Sequence, residues 1–281
     1  MNRSFTKCFM NRRNKYMKVE GKLYYDTGYS AAIMSVGERT ARLAEKSIRQ
    51  HTDDVCVVKN VSPLYKALIE TYQYGIRASK EWMILMGADT ILDYNQTQMF
   101  LRSLKHYPEH VFCVSAFVQC KLRIVPRTGV YAYRINYLPE VLEAGKQCAD
   151  SIRPQGDMHL IMTKNGYRHA KNRIVVGIHD YEQYHYDIFR TAHLLKEKWP
   201  AKYVEDCVKK WGRGKDFKTA RLGLTQTVYN CNDCIPDVNR YDRESIQMYL
   251  KSKGVVEKRR LPENIKVETV LERCKFDKTY R

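Results

Sequence analysis

Between residues 31 and 86 the chain alternates short apolar runs with amphipathic segments. Ala31–Val36 (AAIMSV) is a brief apolar run that stops at Gly37. Ala41, Ala44 and Ile48 then recur at helical spacing among charged residues, with Leu43 beside them. Val55–Lys59 (VCVVK) is short and β-branched. Asn60-Val61-Ser62-Pro63 reads as a helix start, with Ser62 as cap and Pro63 at the first helical position. Leu64, Ala67, Leu68, Thr71, Tyr72 and Gly75 follow on one face, and Trp82–Met86 (WMILM) reads as a buried strand. Strand, helix, strand, helix, strand at this spacing predicts a parallel sheet with helices packed on it.

Val111–Val118 (VFCVSAFV) and Arg173–Ile178 (RIVVGI) are fourth and fifth strand candidates. Tyr181, Tyr184, Ile188, Ala192 and Leu195 predict a helix after the fifth, ended near Pro200. Val204, Cys207, Val208 and Trp211 mark a shorter one, closed by Gly212 and Gly214. Beyond that the periodicity weakens. The division expected is a basic N-terminal extension (1–29), an α/β catalytic domain (30–198) and a basic, mainly helical or irregular C-terminal appendage (199–281).

With 44% hydrophobic and 28% charged residues the composition is globular, which argues against long-range disorder. No run approaches the roughly 18 apolar residues of a membrane span, and the first 20 residues lack the apolar core of a secretory signal. A cytoplasmic location is expected, membrane-peripheral where basic ends meet anionic lipid. The net charge is +18, of which residues 1–23 carry +6 and residues 199–281 carry +7, so the excess is concentrated at the ends. Such a surface attracts nucleic acid, anionic lipid or phosphorylated substrates. No nucleic-acid-binding signature is present, and a nucleic-acid partner is not expected. Nine cysteines, an odd number, point to free thiols rather than a disulfide framework. Cys231 and Cys234 are the one close pair, at a spacing that zinc sites use twice.

Ligands of open parallel sheets bind beyond the carboxyl ends of the strands. The residues there are Ser35, Gly37, Glu38 and Arg39 after the first strand, Asn60 after the second, Gly87, Ala88 and Asp89 after the third, and His179 and Asp180 after the fifth. A carboxylate and an imidazole at one rim suit a divalent metal that bridges phosphates. Glu182-x-x-His185 occurs once, so it makes no di-iron pair, and Glu182, His185 and Asp187 read as the wet face of a helix.

Four segments, taken in order, resemble a GT-A-fold, family-2-like glycosyltransferase over about residues 30–190. They are Ile33–Gln50 with its Ser47-Ile-Arg-Gln50 ending, Val57–Ala67, Glu81–Leu92, and Gly156-Asp157 followed by Gly166. His179, 22 residues after Asp157, stands where that family often has a late metal-binding histidine. The resemblance implies a Rossmann-like, mostly parallel sheet flanked by helices. It implies an inverting transfer of a sugar from a nucleotide-diphosphate donor to a hydroxyl acceptor. It places donor binding at Ser35, Val36, Glu38, Arg39, Asn60, Lys66 and Asp89, a Mn²⁺ or Mg²⁺ ion at Asp89 and His179, and the catalytic base at Asp157. Arg39, Lys66, Arg77 and Lys80 become candidates to neutralise the departing diphosphate. The acceptor would be a glycan, a lipid-linked group or a protein, met by residues 129–145. The family's Asp-x-Asp metal motif is Gly87-Ala88-Asp89 here, which puts the metal requirement in question.

Two alternatives stay open. One is a sugar nucleotidyltransferase, although Ser35–Thr40 is short and acidic for its phosphate loop. The other is a non-catalytic glycan- or nucleic-acid-binding protein on a degenerate scaffold of this fold. At the level of single residues, Asp89 and Asp157 would also serve as plain helix caps, and His179 as a strand-end histidine.

Overall fold

The computed structural model describes residues 17–19, 22–24, 26–225 and 241–277. The Cys231–Cys234 pair lies outside them. A small antiparallel pair, β1 (Met17–Val19) and β2 (Lys22–Tyr24), precedes the main sheet. That sheet has seven strands: β3 (Asp26–Ser35), β4 (Val55–Lys59), β5 (Lys80–Gly87), β6 (Thr90–Leu92), β7 (Val111–Cys120), β8 (Arg127–Arg134) and β9 (Arg168–His179). Their order is β4-β3-β5-β8-β7-β9-β6. β3, β4, β5, β7 and β9 share one direction, while β8 and β6 run against it. The architecture is therefore α/β with a mostly parallel sheet, and all five parallel strands end at one edge.

The apolar runs are continuous because alternate residues feed two different layers. Ala31, Ile33, Trp82, Ile84 and Met86 pack in one layer with Ala44 and Ile48 of α1 (Ala41–Arg49) and Phe100 and Leu101 of α3 (Tyr94–Ser103). Ala32, Met83 and Leu85 point the other way. They meet Leu68 and Tyr72 of α2 (Leu64–Ala78), Leu138 and Val141 of α4 (Leu138–Gly145), and Met158 and Met162 of α5 (Pro154–Lys164).

A third group of helices closes over the edge where the strands end. α6 (His185–Lys198), α7 (Ala201–Lys210) and α8 (Lys215–Thr225) share a core of Ile188, Ala192, Leu195, Cys207, Trp211 and Ala220. α9 (Arg243–Ser252) packs Ile246 and Leu250 on Tyr186 and Phe189 of α6. α10 (Val267–Arg273) packs Val270 and Leu271 on Leu43, Ile91 and Ile178. Residues 241–277 thus return to the α/β core.

The sheet is mostly parallel, as expected, and β8 and the short β6 are antiparallel strands that the periodicity did not mark. Two expectations need correction. α2 begins at Leu64, one residue late, with Pro63 extended at its N-cap position and Ser62 outside the helix. His185 and Asp187 are buried, not wet. Glu257 reaches back to accept the backbone N–H groups of His185 (2.6 Å) and Tyr186 (3.1 Å), and this covers the start of α6.

Candidate active site

The shared strand edge opens into a cleft of about 260 Å³, near the lower end for small-molecule sites. One wall is the β3–α1 loop. Glu38 folds back into that turn, and its Oε2 accepts from the Ser35 hydroxyl (2.8 Å) and the Val36 N–H (2.9 Å). Gly37 makes the turn with φ of +91°, a conformation that favours glycine. Thr40 donates to the Ala88 carbonyl at 2.8 Å, tying this loop to the one that carries Asp89. Burial, and next the negative charge of Asp89, push the Glu38 carboxyl up to about 7 against the bonds it accepts.

The floor is set by β6 and β9. Thr90 pairs with His179 in register, so the preceding Asp89 falls beside the imidazole. Gly177 permits this close approach: a Cβ there would lie 2.1 Å from the Ile91 carbonyl oxygen. His179 Nε2 is 3.3 Å from Asp89 Oδ2, and His179 Nδ1 is 2.8 Å from Asp180 Oδ2. The Asp180 N–H donates to the Asp89 carbonyl at 3.2 Å, which closes the two strand ends on each other. Burial alone would lower the His179 pKa, but Asp180 and then Asp89 outweigh it and hold it well above the ordinary value. Burial alone would raise Asp89, but His179, Arg127 and Arg190 hold it well below the usual carboxylate range.

These groups fit a divalent cation. Two neighbouring ligands on an octahedral Mg²⁺ or Mn²⁺ stand about 3 Å apart, which matches the Asp89–His179 separation. Metal-bound histidines commonly donate their second N–H to a carboxylate that fixes the tautomer, and Asp180 stands at that nitrogen. A cation would take the place of the Nε2 proton between Asp89 and His179. The buried Cys120 Sγ, 3.3 Å from His179 Nδ1, makes a second possible ligand group with His179 and Asp180. That group draws on the nitrogen already bonded to Asp180.

The opposite wall is cationic. Arg123 lies between β7 and β8, Arg127 opens β8, and Arg190 and Lys198 project from α6; all four line the cleft. Arg190 Nη2 is 3.5 Å from Asp187 Oδ1, one turn back on its own helix.

Of the residues expected from the sequence, Ser35, Val36, Glu38, Asp89, His179 and Asp180 line this one cleft. The others stand elsewhere. Arg39 turns away to Glu182, with Nη1 2.6 Å from Oε2, and its Nε donates to the Arg259 carbonyl at 2.7 Å. Asn60 is exposed at the end of β4, and its N–H donates to the Ser35 carbonyl at 2.7 Å. Lys66 is exposed on α2. Asp157 lies in the first turn of α5, exposed, with the Ser151 hydroxyl on its Oδ2. Asp89 caps no helix, because β6 follows it and Asp93 caps α3 by accepting from the Gln96 N–H at 3.0 Å. The cations of the far wall were not singled out in the sequence. Arg190, Leu194 and Lys198 recur every fourth residue, so they share one helical face, and that spacing was the available signal.

No family model matches the chain, and no curated protein matches its sequence. Among solved structures, a glycosyltransferase involved in the glycosylation of the major capsid of PBCV-1 is 9% identical, with a TM-score of 0.40, over 55% of this chain and 93% of that one. A CMP:2-keto-3-deoxy-manno-octonic acid synthetase complexed with CTP is 10% identical, with a TM-score of 0.36, over 53% and 91%. A cytidylyltransferase from Leptospira borgpetersenii serovar Hardjo-bovis is 10% identical, with a TM-score of 0.36, over 73% and 100%. These neighbours are glycosyl- and nucleotidyl-transferring proteins.

Proposed function

We propose that the chain is a metal-assisted transferase that takes a nucleotide-activated donor in this cleft. One observation carries the reading: Asp89 and His179 share the cleft floor with Arg127 and Arg190 close enough to act on the Asp89 charge. That combination suits a diphosphate bridged to a divalent cation. Asp89 Oδ2 and His179 Nε2 would hold the cation, which supplies charge neutralisation on the phosphate oxygens. Asp180 keeps the Nδ1 proton and so leaves Nε2 free to face the cleft. Arg127 and Arg190 stabilise negative charge as it builds on the leaving phosphate, in a partly desolvated setting where such contacts are strong. Ser35, Val36 and Glu38 border the space for the nucleoside.

In the first reading the donor is a nucleotide sugar and the acceptor a hydroxyl, whose proton must go to a base. Asp157 takes that role only where the acceptor bridges from the cleft to the exposed first turn of α5. A second reading is favoured by the lining itself. The carboxylates that line the cleft, Glu38, Asp89 and Asp180, belong to the loop wall and the floor, and the facing wall is cationic. A phosphate or carboxylate nucleophile already carries its negative charge and needs no base, as nucleotidyl transfer to a sugar phosphate requires. The two readings separate by product. The protein is incubated with Mn²⁺ and either nucleotide sugars or nucleoside triphosphates plus a sugar phosphate. Release of a nucleoside diphosphate from a nucleotide sugar supports glycosyl transfer, and pyrophosphate release supports nucleotidyl transfer. Neither product, across UDP, GDP, CDP and TDP sugars and the matching triphosphates, would overturn the proposal.

A further inference from the structure

Lys198 and Arg123 line the cleft, and Arg153 stands against the same indole as Arg123. Lys198 is the last residue of α6, Arg123 lies in the β7–β8 loop, and Arg153 precedes α5. Both guanidiniums sit against one indole, 4.7 Å (Arg123) and 4.8 Å (Arg153) from the ring centroid of Trp199. A cation–π contact of this kind holds a guanidinium near the ring without neutralising its charge. The Lys198 ammonium is pushed down to about 8, by burial first and then by Arg127, Arg123, Arg153 and Arg190.

Among the described residues, no carboxylate comes within ion-pair distance of Lys198, Arg123, Arg127 or Arg153. Gathering like charges in a partly buried place without a counter-charge costs stability. The helix terminus does not demand it, since the exposed Lys196 already supplies a cation to the last turn of α6. The donor end does not demand it either, since Arg127 and Arg190 already face Asp89. A bound anion would supply the counter-charge that the described residues do not.

We propose that Lys198, Arg123 and Arg153 form a second anion subsite, which receives a phosphate group carried by the acceptor. This rests on the two-substrate transferase reading and narrows it: the acceptor is a phosphorylated molecule, and its phosphate docks at the cleft mouth while the donor's phosphates occupy the Asp89–His179 end. The same chemistry could come from a further phosphate of the donor, and the experiment separates the two sources.

Inorganic phosphate is titrated into the full-length protein at constant ionic strength, without metal or nucleotide, and followed by calorimetry and thermal melting. Wild type is compared with Lys198→Met, Lys198→Arg, Arg123→Gln and Asp89→Asn. The expected result is saturable binding that weakens about tenfold or more in Lys198→Met and in Arg123→Gln, the usual loss for one charge-assisted bond, and that persists in Asp89→Asn and Lys198→Arg. Lys198→Met also melts higher than wild type without phosphate, because the repelled charge is gone; a merely structural lysine would lower the melting point. From about pH 8 to about pH 9.5 phosphate binding falls in wild type as the lysine loses its charge and holds in Lys198→Arg. Equal phosphate affinity in wild type, Lys198→Met and Arg123→Gln would overturn the proposal. So would phosphate binding that is displaced when a nucleoside diphosphate and Mn²⁺ are added, which would assign these cations to the donor. Phosphate binding as described, with no nucleotide bound under any condition, would leave the subsite standing and sink the transferase reading.

Discussion

At the scale of single residues, the candidate site is organised by an imidazole held between two carboxylates. Asp180→Asn keeps the shape of the contact at Nδ1 but replaces the carboxylate. Loss of such a partner commonly costs 10- to 100-fold in metal affinity, so Mn²⁺ binding measured by calorimetry should weaken by about that factor; unchanged affinity would make the 2.8 Å contact idle. Glu38 gives a pH signature. Its folded pKa of about 7 lies above the ordinary 4.5, so the fold prefers the protonated form. Its contribution to stability is therefore lost as pH rises from about 4.5 to about 7 and changes little above that. In metal-free protein, Glu38→Gln should melt with wild type near pH 4.5 and above it near pH 8. A difference that is constant with pH would show that Glu38 does not titrate in this window. The sequence marked Glu38, Asp89, His179 and Asp180 because each follows a strand, and position after a strand is a local property. It did not mark Arg123, Arg127, Arg190 or Lys198, because their convergence depends on how α6 and the β7–β8 loop close over the sheet.

At the scale of elements, the site exists because β6 lies against β9. Three residues of β6 suffice to set Asp89 beside His179, and Gly177 is what lets the strands approach. Gly177→Ala should drive the two apart. Overpacking of this kind costs about 1–3 kcal/mol, read from urea unfolding, and it should remove Mn²⁺-dependent stabilisation. Retention of both would place the strand contact outside the metal account. The apolar runs of β3, β4, β5, β7 and β9 were legible because strands buried on both faces are continuous in hydrophobicity. β8 was not, since Arg127-Thr-Gly-Val-Tyr-Ala-Tyr-Arg134 mixes cleft-lining polar positions with core positions. β6 is too short to show any period.

At the scale of the whole molecule, the C-terminal third braces the site. α6 carries Arg190 and Lys198, and it is held by α7 and α8 on one side and by α9 on the other. Arg39, expected at the donor, instead joins the core to this region through Glu182 and the Arg259 carbonyl. Ending the chain at residue 240 would uncover Tyr186, Phe189, Ile91 and Ile178 and remove Glu257 from the start of α6. The truncated protein should melt well below the full chain and lose the cleft's anion binding; an unchanged melting point would show that residues 241–277 are dispensable to the fold. This packing was illegible in the sequence because α9 and α10 are short and each buries only a few side chains.

In the proposed function, Asp89 and His179 join a divalent cation to the phosphates of a nucleotide. The most direct measurement is thermal stability with UDP, GDP, CDP or TDP, each with and without Mn²⁺, for wild type, Asp89→Asn and His179→Asn. A ligand at a hundredfold excess over its dissociation constant adds about 2.7 kcal/mol to stability. The expected result is that at least one nucleotide stabilises wild type only when Mn²⁺ is present, and that both variants lose the effect. Stabilisation that needs no metal, or that survives in both variants, would contradict it, as would the absence of stabilisation by all four nucleotides.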